Sequence, residues 1–444
     1  MQTGNSDVLR QQAFERYLTA LNRSQWYPAE QLRAYQRDLL SRIVSHARDK
    51  TAFYRDRLAV LFDASGTVDF NRWQEVPVIA RDNVPAHAAA MRAETIPAVC
   101  GTVYSIGTSG STGTPLTLAT NTLVQFAGNA AMTRFAQWWG ADTDKTLARI
   151  TYPHGGNSAP YPAGFERLGW SFSSPHAKAF DLDLTTPVDR QLEWLLRHRP
   201  AYLQTPPSNA AALAYAASAE QARELGLELV FAIAETVLPQ AAQIVSERFQ
   251  AKVAAIYSCE EVGFMATQCA VSGCYHVVSE NVLIEVLDDR DEPVAPGETG
   301  RVVVTGFHNY AMPFIRYAVG DVATVSAGPC RCGRGLPSLD RIEGRTRHAF
   351  VFEDGTRTWP RIWILRDIGQ FVPAREIQVV QIDKRTIEVR YVPDGRGGKP
   401  DEHALNDYVR KTFHASAVAR VSAWDELPRS AMGKFHPFLS MLPD

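Results

Sequence analysis

The sequence predicts an α/β protein, with a large N-terminal α/β domain and a small C-terminal α+β domain. Three observations carry this. Leu229 to Ala234 and Val253 to Tyr257 are short continuous apolar runs on either side of a helical stretch from Pro239 to Phe249, which is a β-α-β unit. From His276 to Tyr317, apolar and polar residues alternate, with turn signals at Asp288-Asp289 and Pro296-Gly297, as in a β-meander. After Gly344 the pattern changes: strands at Ala349 to Phe352, Glu376 to Ile382 and Thr386 to Val392 surround helical stretches near Arg361 to Ile368 and Glu402 to Phe413. The expected division is therefore 1–342 and 343–444, the second unit being of ordinary small-domain size.

The chain opens on helix. From Val8 to Leu61 apolar residues recur at spacings of three and four, as in Leu32, Tyr35, Leu39, Ile43, Val44 and Ala47, so a helical opening segment is expected over about 1–95. With 444 residues, 45% of them hydrophobic and 21% charged, the chain can bury one large core and a smaller one, which excludes a disordered or disulfide-stapled protein. A formal charge of -2 without a basic stripe argues against a nucleic-acid partner. The polar start lacks the charged and apolar segments of a signal peptide, and no apolar run of about eighteen residues exists to span a bilayer. A cytoplasmic protein with no membrane partner is expected. Five of the six cysteines lie between Cys259 and Cys332, a clustering that suggests metal rather than bridges.

The strongest local signal is Thr108-Ser109-Gly110-Ser111-Thr112-Gly113-Thr114-Pro115, placed between Val103 to Ile106 and Leu116 to Leu118, both of extended character. Hydroxyl side chains, backbone N–H groups and two glycines allow a tight loop to wrap the oxygens of a polyphosphate. It is not a Walker loop, because no Gly-Lys-Ser/Thr follows and no helix begins there. Taken alone, the octapeptide also reads as a polar surface linker.

The octapeptide resembles the phosphate loop of the adenylate-forming enzymes, the superfamily of acyl-CoA synthetases, luciferases and peptide-synthetase adenylation domains. Four further segments follow in that superfamily's order. Tyr257-Ser258-Cys259-Glu260-Glu261 resembles its Tyr-Gly-x-Ser/Thr-Glu segment, which implies adenine stacking by Tyr257 and magnesium binding by Glu261. Tyr317-Ala318-Val319-Gly320-Asp321 resembles the segment whose aspartate accepts the ribose hydroxyls. Arg341-Ile342-Glu343-Gly344-Arg345 resembles the link between the two domains, with Arg341 near ribose and phosphate and Arg345 at the turning point. Ser430-Ala431-Met432-Gly433-Lys434 resembles the terminal Gly-Lys, whose lysine bridges the substrate carboxylate and the α-phosphate. Lys434 is one of only eight lysines in the chain. By the same resemblance, Ala234-Glu235-Thr236 is expected at the adenine.

Within the superfamily the phenylacetate-CoA ligase branch fits best, over nearly the whole chain. Thr51-Ala52-Phe53-Tyr54-Arg55 and Val76-Pro77-Val78-Ile79-Ala80-Arg81 resemble its helical prelude, and the C-terminal unit is short. Cys269, His276, Cys330 and Cys332 form a set suited to tetrahedral zinc, with Cys274 a substitute ligand, and some members of the branch carry a structural zinc near this place. The other reading is buried free thiols. Cys259 reads as a small pocket-lining hydrophobe, because the implied chemistry needs no thiol nucleophile. Dimers are frequent in the branch, so a homodimer is a further expectation.

The resemblance implies ATP-dependent activation of a small carboxylic acid, an aromatic one included, as an acyl-AMP, with transfer to coenzyme A. ATP, magnesium, coenzyme A and structural zinc are the implied cofactors, with Lys434 and Glu261 catalytic. Phe135 to Trp139 and Tyr152 to Gly156 are candidates for an acyl pocket, and an ordinary core helix and loop explain them equally. Some residues depart from the pattern. Ser258 replaces a glycine, Glu260 stands where a serine or threonine touches the α-phosphate, and Thr346-Arg347-His348 replaces an aspartate pair at the turning point. A ligase with a non-thiol acceptor such as an amine, and a non-catalytic nucleotide binder, are the alternatives.

Overall fold

A computed structural model describes residues 2–107, 117–152, 158–345, 350–358, 360, 363–395, 397–429 and 435–442. Of residues 2–7, 344, 345 and 363 only the backbone is described. The loop 108–116, His154, the Thr346-Arg347-His348 stretch and Lys434 therefore lie outside the described residues.

The β-α-β unit sits at the centre of a thirteen-stranded sheet. Leu229–Ala232 lies parallel to Lys252–Cys259, with Pro239–Phe249 crossing between them. Leu229–Ala232 is buried throughout, as a strand covered on both faces must be. Tyr202–Thr205, Leu147–Thr151 and Lys178–Asp183 extend this parallel half, which ends on the antiparallel edge strand Phe165–Leu168. On the other side the sheet turns antiparallel through Gly263–Gln268, Tyr275–Val277, Ser338–Arg345, Tyr317–Val325, Thr299–Gly306 and Val282–Leu287. The last three strands are the expected meander, and Gly297 takes a positive φ of 87° at its Pro-Gly turn.

The opening segment is helical, with long helices at Gln2–Ser24 and Ala29–Lys50. It also holds one feature that the helical periodicity hides. Ile79–Ala80 joins the sheet as a two-residue strand parallel to Tyr317–Ala318, because Val76 and Ile79 are drawn into the core beneath the meander. No helix among the described residues is long and apolar enough to cross a membrane.

The C-terminal stretch builds a separate four-stranded sheet from Val418–Ala423, Thr386–Pro393, Ala374–Gln381 and Phe438–Ser440. The helices Trp363–Ile368 and Glu402–Thr412 accompany it. Its core of Ile364, Leu365, Val379, Val389, Leu405 and Val409 is distinct from the clusters of the large sheet.

Candidate active site

Strand ends converge on the turn after Lys252–Cys259. Tyr257 and Asp321 come from strands with three others between them in the sheet order, yet the Tyr257 hydroxyl donates to Asp321 Oδ2 at 2.8 Å. The residues expected at adenine and ribose are thus within one hydrogen bond of each other. Glu261 is 1% exposed, and its Oε1 accepts from Arg81 Nη1 at 3.0 Å and from the Tyr317 hydroxyl at 2.8 Å. A carboxylate can remain ionised at that depth only with a partner charge, which Arg81 supplies. Burial opposes the charge on Arg81, but Glu261 together with Tyr317, Cys259 and Asp321 outweighs it and the arginine pKa is raised. The Tyr317 phenol is pushed up by burial and by the same carboxylate, so it stays a donor.

The stem of the hydroxyl-rich loop is fixed beside this turn. Val103–Gly107 pairs antiparallel with Thr117–Asn121, with Gly107 opposite Thr117, so residues 108–116 connect two hydrogen-bonded strands as expected. Asn309, 3% exposed, donates from Nδ2 to the Ala119 carbonyl at 3.1 Å and to the Glu261 carbonyl at 3.5 Å, tying stem and turn together. Glu260 is exposed and raises the pKa of the nearby Tyr104 phenol, behind the larger effect of burial. Ser258 is also exposed. Arg341 donates from Nε to Glu343 Oε1 at 3.1 Å and is 46% exposed, and the Arg345 backbone pairs with Asp321. Cys259 approaches Met265 sulfur to sulfur at 3.9 Å, and burial pushes its thiol well above the usual range, which does not suit a nucleophile.

Glu235 lies elsewhere in the site. Its Oε1 accepts the Phe435 N–H at 2.8 Å and its Oε2 the Ser208 N–H at 3.3 Å, and burial raises its pKa. The preceding residue, Ala234, holds a left-handed φ of 67°, a costly conformation for a residue with a Cβ and one that clusters at functional sites.

The four expected metal ligands also converge. One ligand atom each from Cys269, His276, Cys330 and Cys332 lies within 4.8 Å of the others, and Cys274 is outside this group. His276 Nε2 faces Cys332 Sγ at 3.2 Å, and Cys269 and Cys330 are 3.7 Å apart, sulfur to sulfur. Burial lowers His276 to about 4, keeping the imidazole neutral as a ligand must be. Burial pushes Cys274 up to about 11; Cys330 falls to about 7, where burial opposes the shift but hydrogen bonds from Ser272 and Cys332 outweigh it. Phe135 and Trp138, candidates for an acyl pocket, are committed otherwise. Phe135 is 1% exposed in the core against Phe231, and Trp138 meets His276 edge-on at 5.7 Å.

No family model matches the chain. It is 28% identical over 378 residues, 79% of each chain, to a phenylacetate-coenzyme A ligase of Thermus thermophilus. A 2-hydroxyisobutyryl-CoA ligase solved in the postadenylation state aligns with 94% of this chain and 91% of its own at a TM-score of 0.72 and 21% identity. That ligase solved in its thioesterification state, with the same coverage and identity, gives 0.59. The chain is thus similar in sequence to a phenylacetate-coenzyme A ligase and shares the fold of a CoA ligase.

Sequence reasoning missed Arg81, Asn309, Ser208 and Arg429. Arg81 closes the Val76-Pro77-Val78-Ile79-Ala80-Arg81 segment already singled out, and a cation directly after a short apolar run was the available signal. The other three act through contacts distant in sequence, such as Asn309 with Ala119, 190 residues apart, and Arg429 with Ser208, 221 apart, and carry no local signature.

Proposed function

We propose that the chain activates a small carboxylic acid with ATP and passes the acyl group to coenzyme A. One carboxylate oxygen attacks the α-phosphorus of ATP, forming the P–O bond of an acyl-AMP as the bond to pyrophosphate breaks. The sulfur of coenzyme A then attacks the acyl carbon, its proton is lost to solvent, and AMP leaves with the oxygen it received. The observation that carries this reading is the meeting of Tyr257 with Asp321 beside the buried Glu261, at the carboxyl end of a parallel strand, where open α/β sheets bind ligands. A phenylacetate-CoA ligase relative and the CoA-ligase fold support it.

In this reading Tyr257 stacks on adenine, Asp321 holds the ribose, and the 108–116 loop wraps the phosphates, with Arg341 alongside. Lys434 offsets repulsion between two anions as the carboxylate approaches the α-phosphate. The small unit, taken as 343–444, turns about Arg345 between the two steps. Glu261 fits a magnesium ion: it is a charged oxygen ligand already balanced by one cation, which Arg81 would yield as the metal arrives. Magnesium bound there would neutralise phosphate charge.

Cys269, His276, Cys330 and Cys332 fit zinc, offering three sulfurs and a neutral imidazole. That ion would pin Cys330 and Cys332 beneath the opening helices, where Gly335 donates to the Gln25 carbonyl at 2.9 Å. We place the reaction in the cytoplasm, in keeping with six free cysteines.

The test is ATP–pyrophosphate exchange over a panel of phenylacetate, benzoate and 2-hydroxyisobutyrate, followed by addition of coenzyme A. Acid-dependent exchange and a thioester are expected. Exchange without thioester would favour a non-thiol acceptor, and no exchange with any acid would overturn the reading.

A further inference from the structure

The corner that gathers the candidate zinc ligands holds one thiol more than that set uses. Cys269 and Cys274 flank the tip of the hairpin between Gly263–Gln268 and Tyr275–Val277, where the Cys269 N–H donates to the Cys274 carbonyl at 2.7 Å. Cys330 and Cys332 sit on the turn before Ser338–Arg345, closed by the Gly333 N–H on the Cys330 carbonyl at 3.0 Å. Ligand atoms of Cys269, His276, Cys330 and Cys332 converge, and Cys274 is the free thiol left beside them.

Cys274 is held next to one particular ligand. Ser272 Oγ lies 3.3 Å from the Cys274 sulfur and 2.9 Å from the Cys330 sulfur, so one hydroxyl joins the two thiols. That hydroxyl belongs to an exposed turn rather than to packed core, since residues 270 to 273 of the hairpin tip are all exposed. Gly273 has a φ of 77° there, and a Cβ on it would meet nothing within 4 Å. The ligands differ in access as well. Cys269 is 1% exposed, whereas Cys330 is half-buried between the exposed Pro329 and Arg331. Oxidation of a thiol follows its access to solvent, which singles out Cys330.

We propose that Cys330 and Cys274 are a reversible oxidation site for hydrogen peroxide, with Cys330 the sulfur that is attacked and Cys274 the thiol that closes a disulfide. The inference rests on the reading of Cys269, His276, Cys330 and Cys332 as a zinc site. In the first step the Cys330 thiolate takes one oxygen of the peroxide; the O–O bond breaks, a sulfenic acid forms, and hydroxide leaves and is protonated by solvent. In the second the Cys274 sulfur attacks the Cys330 sulfur; the S–S bond forms, the S–O bond breaks, and water leaves with the Cys274 proton. Two thiols have then given two electrons to one peroxide, which ends as two waters. Cys269, His276 and Cys332 remain as three donors, which no longer close a tetrahedral site. The turn that carries Cys332 also meets the opening segment, through Gly335 on the Gln25 carbonyl at 2.9 Å and Arg334 Nε on Gln25 Oε1 at 2.9 Å, so oxidation loosens that contact. A transient, redox-sensing disulfide is the kind that a reducing compartment allows.

The experiment treats the full chain, purified with reductant and then freed of it, with hydrogen peroxide and stops the reaction with catalase. Released metal is read with a chromogenic zinc chelator, and linked peptides are read by tandem mass spectrometry without reduction. Trypsin cuts after Arg331 and so separates Cys330 from Cys332, while fragmentation tells Cys269 from Cys274. The wild type should release about one zinc per chain, gain a Cys274–Cys330 link, and rebind zinc after dithiothreitol. Cys274→Ser keeps all four ligands, so it should start with the same zinc; without the closing thiol its Cys330 should proceed to the irreversible sulfinic acid, and most of the zinc rebinding should be lost. A Cys269–Cys330 link in the wild type, zinc retained through the treatment, or full recovery by Cys274→Ser would each overturn the proposal. If the untreated chain holds no zinc, the zinc reading fails and the peptide map alone decides the thiol pair. Zinc present without a Cys274–Cys330 link defeats the oxidation site alone, and the wild-type map carries the test if Cys274→Ser does not fold.

Discussion

Replacing Arg81 by methionine removes the cation that, among the described residues, pairs with Glu261, and keeps most of the side-chain volume. At the observed 3.0 Å the attraction is about 5 kcal/mol for an effective dielectric near 20, before the cost of dehydrating both groups. With Glu261 1% exposed, removing Arg81 leaves a buried carboxylate without its opposite charge, and the expected loss of stability is about 3 kcal/mol. The Tyr317 hydroxyl remains as a donor and limits the damage. Equilibrium urea unfolding of the wild type, Arg81→Met, Glu261→Gln and the double variant closes a cycle. Because the neutral glutamine no longer needs a cation, the double variant should recover about 2 kcal/mol relative to additivity. Additive losses, or an Arg81→Met variant within about 0.5 kcal/mol of wild type, would refute the view that Glu261 is held charged by Arg81.

Three further outcomes are expected. A Cβ at Gly335 would lie 1.9 Å from the Tyr27 carbonyl oxygen, so Gly335→Ala should cost about 2 kcal/mol in urea unfolding by pushing the Cys330–Cys332 turn off the opening helices. His308 is partly buried against the Tyr17 hydroxyl and the Glu280 carbonyl, and burial lowers it from 6.5 to about 4. The unfolded chain therefore takes the proton first, and stability present above pH 6.5 falls by about 3 kcal/mol as pH drops toward 4, whereas His308→Gln should lose correspondingly less. Elemental analysis should find one zinc per chain, and its removal by a chelator should lower the melting temperature and change the fluorescence of Trp138, which meets His276 edge-on; Cys330→Ser should abolish both the metal and the chelator effect.

Much of the architecture was readable because it follows from local pattern. The helix Pro239–Phe249 falls where proline at its start and apolar spacing put it, and the meander follows its alternation and turns. The site was readable where its chemistry sits in consecutive residues: Tyr257 and Glu261 share one strand end, and Asp321 follows Tyr317 by four. What stayed hidden depends on long-range contacts. The parallel pairing of Ile79–Ala80 with Tyr317–Ala318 brings Arg81 to Glu261, 180 residues away, and a two-residue strand has no periodicity to detect. Glu235 was expected at adenine from the family resemblance alone, and the hydrogen bond that it accepts from the Phe435 N–H, 200 residues away, has no local signature.

The most direct measurement of the central claim follows one oxygen atom. The acid that supports the fastest exchange, labelled with ¹⁸O in its carboxylate, is turned over with ATP and coenzyme A, and the products are read by mass spectrometry. Activation through an acyl-AMP predicts one labelled oxygen in the phosphate of AMP for each thioester formed. Label in orthophosphate, or ADP in place of AMP, would contradict it.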